Sequence, residues 1–298
     1  MMMNNSYDAW QISHQDRINK FLKKKLDKKN AQNTIHDATT YTLLNGGKRF
    51  RALLTYAIGE IDSTNKNKLD FIAASIEIIH AYSLTHDDLP DMDDDSLRRG
   101  LPSCHIKYGT PQAILAGDGL QSLAFEFLTS PTFKIDDGEK INLISQLSKA
   151  IGIEGMVFGQ SLDMECSNKK INIKLLEKIQ RNKTGKLIHA ACIMPYTISN
   201  FCDTSVQTSI SKLSILLGQL YQIIDDILDS TSTSKNLGKT MGKDQEANKA
   251  TYVSIVGITE SKKIKENLYL EIKRLVKKIP GNTQALTHLI HKIYSRDY

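Results

Sequence analysis

The chain has 298 residues, 40% of them hydrophobic, and a formal net charge of +6. This length allows one large domain or two smaller ones, and the modest charge comes without the aromatic or reader motifs of a nucleic-acid-binding protein. No run approaches the roughly 18–20 continuous apolar residues of a membrane span, and the N-terminus lacks the apolar core of a signal peptide. The cysteines show neither CxxC spacing nor a partnered histidine pattern, which is typical of reduced thiols in a cytoplasmic protein. They are Cys104, Cys166, Cys192 and Cys202.

The hydrophobic pattern predicts helices along almost the whole chain. Helices at residues 6–29 and 34–45 precede the stop signal Gly46-Gly47. A helix at 49–60 follows, and apolar residues then recur at three- and four-residue steps from Leu69 to Ile79. Further helices are predicted at 111–128, 139–152 and 174–200, along the run from Leu213 to Ile227, and at 260–278 before Pro280-Gly281. Because alternating strand patterns, Asn-Gly turns and linkers are absent, we expect one all-α domain over residues 1–298, a single large helical bundle.

An acidic cluster, His-Asp-Asp-Leu-Pro-Asp-Met-Asp-Asp-Asp, occupies residues 86–95 at the end of an apolar helical run. Oxygen ligands at this density suit Mg²⁺, which is usually bound by one or two carboxylates together with substrate phosphates. An ideal helix would place four carboxylates on one face, those of Asp87, Asp91, Asp94 and Asp95. Pro90 bends or breaks such a helix, so the spacing leaves open whether Asp91 or Asp93 turns towards a metal. The cluster lacks the glycine and terminal glutamate of an EF-hand, which argues against a Ca²⁺ loop.

A second cluster, Asp225-Asp226-Ile-Leu-Asp229, also lies at the end of an apolar helical run. Asp225 and Asp229 are one turn apart and face the same way. Two facing clusters could hold metal ions between them, with a phosphate as the shared ligand.

Basic residues accompany both acidic clusters. For any one of them an ordinary solvated surface position is the simpler interpretation, but arginine and lysine also bind phosphate oxygens. Their closeness to both clusters therefore indicates a site for a diphosphate and its metal ions. The residues concerned are Lys48, Arg49, Arg51, Arg98, Arg99, Lys183, Lys186, Lys239 and Lys243.

These motifs together resemble those of the trans-isoprenyl diphosphate synthases. Asp87-Asp88-x₄-Asp93, followed by Arg98-Arg99-Gly100, is similar to the first aspartate-rich motif of that family, and Asp225-Asp226-x-x-Asp229 to the second. Gly-Gly-Lys-Arg-x-Arg at 46–51, Gly159-Gln160-x-x-Asp163, Lys183-Thr184-Gly185 and Gly238-Lys239 follow in the family's order. The segment from His80 to Pro90 most resembles the bacterial members that form farnesyl diphosphate.

The resemblance implies the all-α isoprenoid synthase fold with a central active-site cavity, a homodimer and Mg²⁺ as cofactor. It implies a prenyltransferase that condenses isopentenyl diphosphate with dimethylallyl and geranyl diphosphate. The implied metal ligands are Asp87, Asp88, Asp93 and Asp225, which would act in catalysis with Arg98 and Lys183. The implied ligands of isopentenyl diphosphate are Lys48, Arg51, His80 and Arg99. Those of the allylic diphosphate are Arg98, Lys183, Thr184, Gln222 and Lys239, with Lys249 as a further cation.

The sequence leaves several alternatives open. A geranylgeranyl diphosphate synthase differs only in product length, which we expect Tyr82 to limit from one helical turn before Asp87. A terpene cyclase would share the acidic motifs but would not need a second diphosphate site, and a non-catalytic subunit would be expected to lose one cluster. Ala52 replaces a proline common in the family, which should alter only the stiffness of the segment. The C-terminal Arg296-Asp297-Tyr298 lacks the basic tail that often closes over the homoallylic diphosphate.

Overall fold

The computed structural model describes residues 2–27, 33–200, 203–231 and 250–296, with side chains from residue 7 onwards. These residues are mainly helical with only two short strands, so the predicted all-α class is confirmed. The helices are α1 Met2–Leu26, α2 Thr34–Leu44, α3 Phe50–Gly59, α4 Lys66–Asp87, α5 Cys104–Tyr108, α6 Thr110–Thr129, α7 Asp137–Ile151, α8 Met156–Cys166, α9 Ile173–Gln180, α10 Lys186–Thr197, α11 Thr204–Thr231, α12 Tyr252–Val276 and α13 Gln284–Tyr294. A π-helix, Arg181–Gly185, joins α9 to α10, and two short strands are β1 Leu97–Arg98 and β2 Leu101–Pro102. Within these described stretches, no helix is both long and apolar enough to cross a membrane.

The chain forms two compact units, residues 1–56 with 65–144 and residues 57–64 with 145–298. In the first unit α4 packs along α6, and the Ser75 hydroxyl donates to the Ala124 carbonyl at 2.9 Å. In the second unit α11 packs against α10 and α12, and an added Cβ at Gly218 would lie 3.0 Å from the Gly185 Cα. The single domain expected over residues 1–298 stays a prediction.

Helix α4 presents the first acidic cluster at its C-terminal end. The Asn65 side chain caps its first turn by accepting from the Asn67 N–H at 2.8 Å. The helix ends at Asp87, because Pro90 has no N–H to continue the ladder and restricts the residue before it. The ideal-helix face on which Asp91, Asp94 and Asp95 would lie with Asp87 therefore does not form, as Pro90 led us to expect.

A two-stranded antiparallel hairpin follows the cluster, although the sequence shows no Asn-Gly turn. Its turn residues are Arg99 and Gly100, with φ of +56° and +78°. Positive φ at both central positions matches the twist of a two-residue hairpin. The left-handed backbone at Arg99 is uncommon for a residue with a side chain, and it places this arginine at the tip of the turn.

Candidate active site

Asp88, at the C-terminal end of α4, is buried and held by Arg98. The Arg98 Nε lies 3.0 and 3.1 Å from the two Asp88 oxygens, and the terminal nitrogen Nη2 also donates to Oδ1. The same Nη2 lies 3.1 Å from Asp95 Oδ2. Such a two-pronged guanidinium–carboxylate pair fixes both groups. Asp88, Arg98 and Asp95 therefore form the buried, ion-paired part of the first cluster.

Asp87 and Asp93 form the more open part of the cluster. The Asp93 N–H donates to the Asp87 carbonyl at 2.9 Å, so the loop folds back and brings Asp93 to the helix end. Both residues are half-buried, whereas Asp91 is exposed. No group of three metal-ligating side chains is assembled in the residues that the structure describes. A pair of carboxylates still fits Mg²⁺, which takes few protein ligands and completes its shell with phosphates and water.

Arg49 and Arg51 are two residues apart, but they differ in their hydrogen-bond partners. Arg49 is 3% exposed; its Nε donates to Asn19 at 2.9 Å, its Nη2 donates to the Leu43 carbonyl at 2.8 Å, and its Nη1 lies 3.5 Å from Glu77. Arg51 is also buried, but its Nε has no hydrogen-bond partner among the described residues. A buried charged donor without a partner is costly, which indicates that a ligand completes it. Arg49 therefore belongs to the fold, and Arg51 to the candidate site.

The backbone of Ala52 takes part in a buried hydrogen-bond network centred on Glu77. The Glu77 carboxylate pairs with Arg49 and also accepts from the Ala52 backbone N–H at 3.0 Å. A proline at this position could not donate that hydrogen bond. The prediction that Ala52 alters only the stiffness of the segment is wrong, because its amide takes part in a buried network.

Arg99 lies over the Gly46-Gly47 loop. Its Nη1 donates to the Gly46 carbonyl at 2.6 Å, and a Cβ added to Gly47 would lie 2.7 Å from the guanidinium carbon. Gly47 also has φ of +105°, a left-handed backbone that favours glycine, whereas the end of the Arg99 side chain could move away from an added Cβ. Lys48, next in the loop, is exposed, and its carbonyl accepts from the Gln15 side chain at 2.8 Å.

His80, on α4, faces this group of arginines. The removal of water from around the ring lowers the pKa of His80 well below its usual value, and nearby positive charges lower it further. Those charges belong to Arg51, Arg99, Arg98 and Arg49. Desolvation, and then the neighbouring Arg49, also lower the pKa of Arg99. The mutual effect indicates a concentrated positive potential, which favours a polyanion.

The His80 pKa predicts a pH dependence of stability. Native His80 stays neutral, while the unfolded histidine binds a proton below about pH 6.5, so stability is lost as the pH falls. Between pH 7.5 and pH 5 this loss should reach up to about 2 kcal/mol. Urea unfolding at both pH values gives the free energy of unfolding that wild type and His80→Gln each lose between pH 7.5 and pH 5. The loss in the wild type minus the loss in the variant is the contribution of His80. Equal losses in the two proteins would contradict the neutral state.

In the second unit, the predicted continuous helix at 174–200 is interrupted by the π-helix that carries Lys183 and Thr184. Such π segments are frequent at functional sites. The Lys183 ammonium pairs with Asp163 at 2.7 Å. Helix α8 approaches this segment so closely that a Cβ at Gly159 would lie 2.0 Å from the Lys183 backbone nitrogen. Gly159 and Asp163, singled out in the sequence, therefore position Lys183.

A polar chain connects the π-helix to the second acidic cluster. The Thr184 hydroxyl donates to Gln222 Oε1 at 3.2 Å, and the Gln222 amide donates to Asp226 at 3.1 Å. Asp226 also accepts from the Gln180 amide at 3.1 Å and from the Tyr252 backbone N–H at 2.8 Å. Burial raises the pKa of Asp226 to about 6, against the opposing effect of these hydrogen bonds.

Asp226 thus uses its oxygens to hold the start of α12, where backbone N–H groups lack helical partners. Asp225 beside it is half-buried and pairs with Arg296 at 2.8 Å, and Asp229 is exposed. Lys239 and Lys249, the remaining predicted ligands, lie outside the described residues.

Each unit therefore gathers its own share of the predicted site. The first brings together Arg51, His80, Arg98 and Arg99 near Asp87, Asp88 and Asp93; the second brings together Lys183, Thr184, Gln222 and Asp225. Sequence reasoning missed the Arg49–Glu77 pair, the anchoring role of Asp226 and the Arg296 contact. Gln160, named above only as part of a motif, has both amide atoms buried without a hydrogen-bond partner in the described part of the chain.

The chain is similar to known proteins over most of its length. A family model described as polyprenyl synthetase matches residues 32–291. The chain is 44% identical over 280 residues to a farnesyl diphosphate synthase of Haemophilus influenzae, which covers 93% of this chain and 95% of that protein. It is 38% identical over 241 residues to a chloroplastic geranylgeranyl pyrophosphate synthase of Capsicum annuum, covering 80% of this chain and 65% of that protein. A solved geranyltransferase structure from Helicobacter pylori, complexed with magnesium and isoprenyl diphosphate, superposes with a TM-score of 0.83 at 30% identity, covering 96% of this chain and 95% of that one.

Proposed function

The chain belongs to the polyprenyl synthetase family, and from this premise we propose that it is a farnesyl diphosphate synthase of isoprenoid biosynthesis. It condenses isopentenyl diphosphate with dimethylallyl diphosphate and then with geranyl diphosphate. The family resemblance inferred from the motifs and the isoprenoid synthase fold are both confirmed. A geranylgeranyl synthase is the second candidate, and the higher identity to the Haemophilus influenzae protein favours the farnesyl product.

One observation carries the proposal: the Arg51–His80–Arg99 group is a cationic site additional to the acidic clusters. A terpene cyclase binds a single diphosphate and has no use for a second anion site. The buried Arg51 Nε, which has no hydrogen-bond partner among the described residues, supports a ligand there, and so does the lowered pKa of His80 beside several guanidinium groups. We assign isopentenyl diphosphate to this site, with Lys48 as a further, exposed cation.

We propose that Asp87, Asp88, Asp93 and Asp225 hold Mg²⁺ on the allylic diphosphate. When bound, the metal neutralises the leaving group, and one pair of unit charges at 4 Å is worth ~4 kcal/mol at an effective dielectric of 20. Asp93 is favoured over Asp91 as a metal ligand, because its backbone N–H donates a hydrogen bond to the Asp87 carbonyl while Asp91 is exposed. The Helicobacter pylori relative was solved with magnesium, which supports the same choice of metal here.

Arg98, Lys183, Thr184 and Gln222 would bind the allylic diphosphate, and Lys239 and Lys249 are added from the family pattern alone. Arg98 and Lys183 stabilise the departing charge as the bond between carbon and oxygen breaks. The double bond of isopentenyl diphosphate then attacks the allylic cation, forming a carbon–carbon bond. A proton passes to the released diphosphate, and water must be excluded because it would quench the cation.

Arg51 and Arg49 offer a matched pair of variants for the homoallylic site. Arg51→Gln should raise the KM for isopentenyl diphosphate about tenfold to a hundredfold, since a charge-assisted hydrogen bond is worth roughly 1.5–3 kcal/mol. Its melting temperature should change little, because the Nε has no hydrogen-bond partner to lose among the residues that the structure describes. Arg49→Gln should instead destabilise the fold by roughly 3–5 kcal/mol by breaking a buried pair. Steady-state kinetics and thermal unfolding measure the two effects, and the reverse pattern would overturn the assignment.

Tyr82 is the proposed limit on product length. It is 8% exposed, lies five residues (somewhat more than one turn) before Asp87 on α4, and packs edge-on against His86 with ring centroids 5.5 Å apart. Tyr82→Ala should shift the products beyond fifteen carbons, as measured by chromatography of the dephosphorylated alcohols. Phe133→Ala is the control: this buried ring stacks on Phe71, towards the other end of α4. Unchanged product length in Tyr82→Ala would place the limit elsewhere.

The activity itself is tested by incubating the purified chain with Mg²⁺, isopentenyl diphosphate and dimethylallyl diphosphate. A fifteen-carbon product supports the proposal, and a twenty-carbon product supports the geranylgeranyl alternative. Release of a cyclic hydrocarbon from an added prenyl diphosphate, without condensation, would identify a cyclase.

We also propose that the enzyme is a cytoplasmic homodimer and that residues 1–298 form one prenyltransferase domain. An exposed apolar set in the first unit supports a dimer: Leu97, Leu101, Ile106, Ile114 and Leu115 are each at least 41% exposed. Contiguous apolar patches mark protein contacts, and we propose that these side chains form such a patch. Light scattering on the same preparation measures the mass, and a monomer at micromolar concentration would refute the dimer.

A further inference from the structure

Arg296, at the end of the described part of the chain, contacts the second acidic cluster. Arg296 Nη1 lies 2.8 Å from Asp225 Oδ1, and the two side chains are 24% and 31% exposed. The Arg296 guanidinium carbon also lies 5.9 Å from the centroid of the Tyr221 ring. Tyr221 and Asp225 are one helical turn apart on α11, so the guanidinium spans both.

The last turn of α13 is fixed to α12, which holds Arg296 near this contact. Tyr294 stacks on Tyr269 with ring centroids 3.9 Å apart and planes at 11°, and its hydroxyl donates to Glu266. The Lys265 ammonium lies 4.5 Å from the Tyr294 ring centroid. Two residues later, the Arg296 backbone N–H donates to the Ile293 carbonyl at 3.2 Å. Packing has therefore already ordered the chain that carries Arg296, which lowers the entropic cost of the ion pair.

We propose that Arg296 is a positioning residue that controls metal binding at Asp225. It neutralises this carboxylate in the metal-free enzyme and must give it up when Mg²⁺ binds. A guanidinium and a divalent ion attract the same oxygens and repel each other, so the two compete. The inference rests on the proposed function, because it requires Asp225 to be a metal ligand.

A purely structural role for Arg296 makes a different prediction. If the pair served only to hold the C-terminus, its loss would loosen α13 and lower stability without changing the affinity for metal. If Arg296 competes with the metal, its loss should tighten metal binding even where stability falls. The metal titration therefore separates the two roles.

The test is a Mg²⁺ titration of the full chain with a fixed concentration of inorganic pyrophosphate, so that no turnover occurs. The readout is the Mg²⁺ concentration at half-maximal thermal stabilisation. Arg296→Gln should lower this midpoint about three- to tenfold, since a partly buried ion pair is worth up to roughly 1 kcal/mol and the repulsion of the ion is also removed. Arg296→Lys, which keeps the charge, should shift it less.

Lys212→Gln provides the control, because Lys212 forms a 2.8 Å ion pair with Glu271 in the same unit, away from the motif residues in sequence. Its midpoint should equal that of the wild type. An unchanged or higher midpoint in Arg296→Gln would overturn the inference. Circular dichroism establishes that each variant is folded, and Arg296→Met, which also removes the charge, carries the test should Arg296→Gln fail to fold.

Asp225→Asn distinguishes failure of this inference from failure of the proposed metal site. The variant should raise the midpoint, and Arg296→Gln should then have no effect in its background, as a double-mutant cycle requires for a direct pair. If Asp225→Asn weakens metal binding while Arg296→Gln changes nothing, only the role of Arg296 fails. If Asp225→Asn leaves the midpoint unchanged, Asp225 is not a metal ligand and both proposals about it fail.

Discussion

Asp87→Asn should turn over roughly a thousandfold more slowly than the wild type, because losing one charge pair at 4 Å costs ~4 kcal/mol at an effective dielectric of 20. Asp87 ends α4, and its carbonyl accepts from the Asp93 N–H at 2.9 Å. The substitution keeps the shape of the side chain and this backbone bond, so the fold should survive. Single-turnover measurement of condensation with saturating isopentenyl diphosphate isolates the chemical step.

Asp91→Asn is the matched control for this prediction. It makes the same substitution four residues later, on an exposed side chain of the same acidic segment. Its rate should stay within a few-fold of the wild type. Equal losses at Asp87 and Asp91 would mean that the net charge of the segment matters and that the assigned ligands do not. An unchanged rate in Asp87→Asn would remove Asp87 from the mechanism.

Gly159→Ala should impair both folding and turnover, because a Cβ at this position would lie 2.0 Å from the Lys183 nitrogen and 2.6 Å from the Lys183 Cα. These are backbone atoms of the π-helix and cannot turn aside. Overpacking of this kind costs on the order of 3 kcal/mol, or else the π-helix moves. A displacement would also break the 2.7 Å pair between Lys183 and Asp163. Chemical denaturation and kcat are the two measurements.

Gly119→Ala is the control for the glycine substitution. Gly119 lies within α6 and is exposed. A Cβ added there would meet no atom within 4 Å outside the nearby backbone of its own helix, among the described residues. Alanine is the better helix former, so this variant should be as stable as the wild type or slightly more stable. A Gly159→Ala protein with wild-type stability and turnover would show that α8 and the π-helix can separate at no cost.

The two neighbouring arginines show where the sequence stops being informative. Arg49 and Arg51 lie in one basic segment with the same local chemistry, and only Arg51 was assigned to a ligand by family resemblance. The structure supports this distinction by pairing Arg49 with Glu77, which is 28 residues away along the chain. No local sequence pattern identifies such a partner, because Arg49, just before α3, meets Glu77 only when this segment packs against α4.

The second acidic cluster gives the same lesson with adjacent residues. Asp225 and Asp226 are identical in type, yet Asp226 is 5% exposed and held by three protein donors, while Asp225 is half-buried beside Arg296. Helical periodicity separates the two by about 100°, but it does not reveal which face is covered. That depends on where α12 begins, because its first residue, Tyr252, donates to Asp226 from 26 residues further along the chain.

Some local structure also escaped prediction from the sequence. The hairpin has Arg99 where Asn, Asp or Gly usually precedes the turn glycine, and the π-helix at 181–185 interrupts what periodicity predicts as one helix. In both cases tertiary contacts override local preference: Arg99 binds the Gly46 carbonyl, and Gly159 packs against the backbone of Lys183.

By itself, the sequence determined the helical class, the two acidic motifs and the membership of the family, because these depend on spacing along the chain and on residue type. Tertiary structure alone decided which cations serve the fold, which carboxylates are already held by protein donors, and where the C-terminal arginine lies. These depend on burial and on partners that are distant in sequence, and burial is set only when the helices pack together.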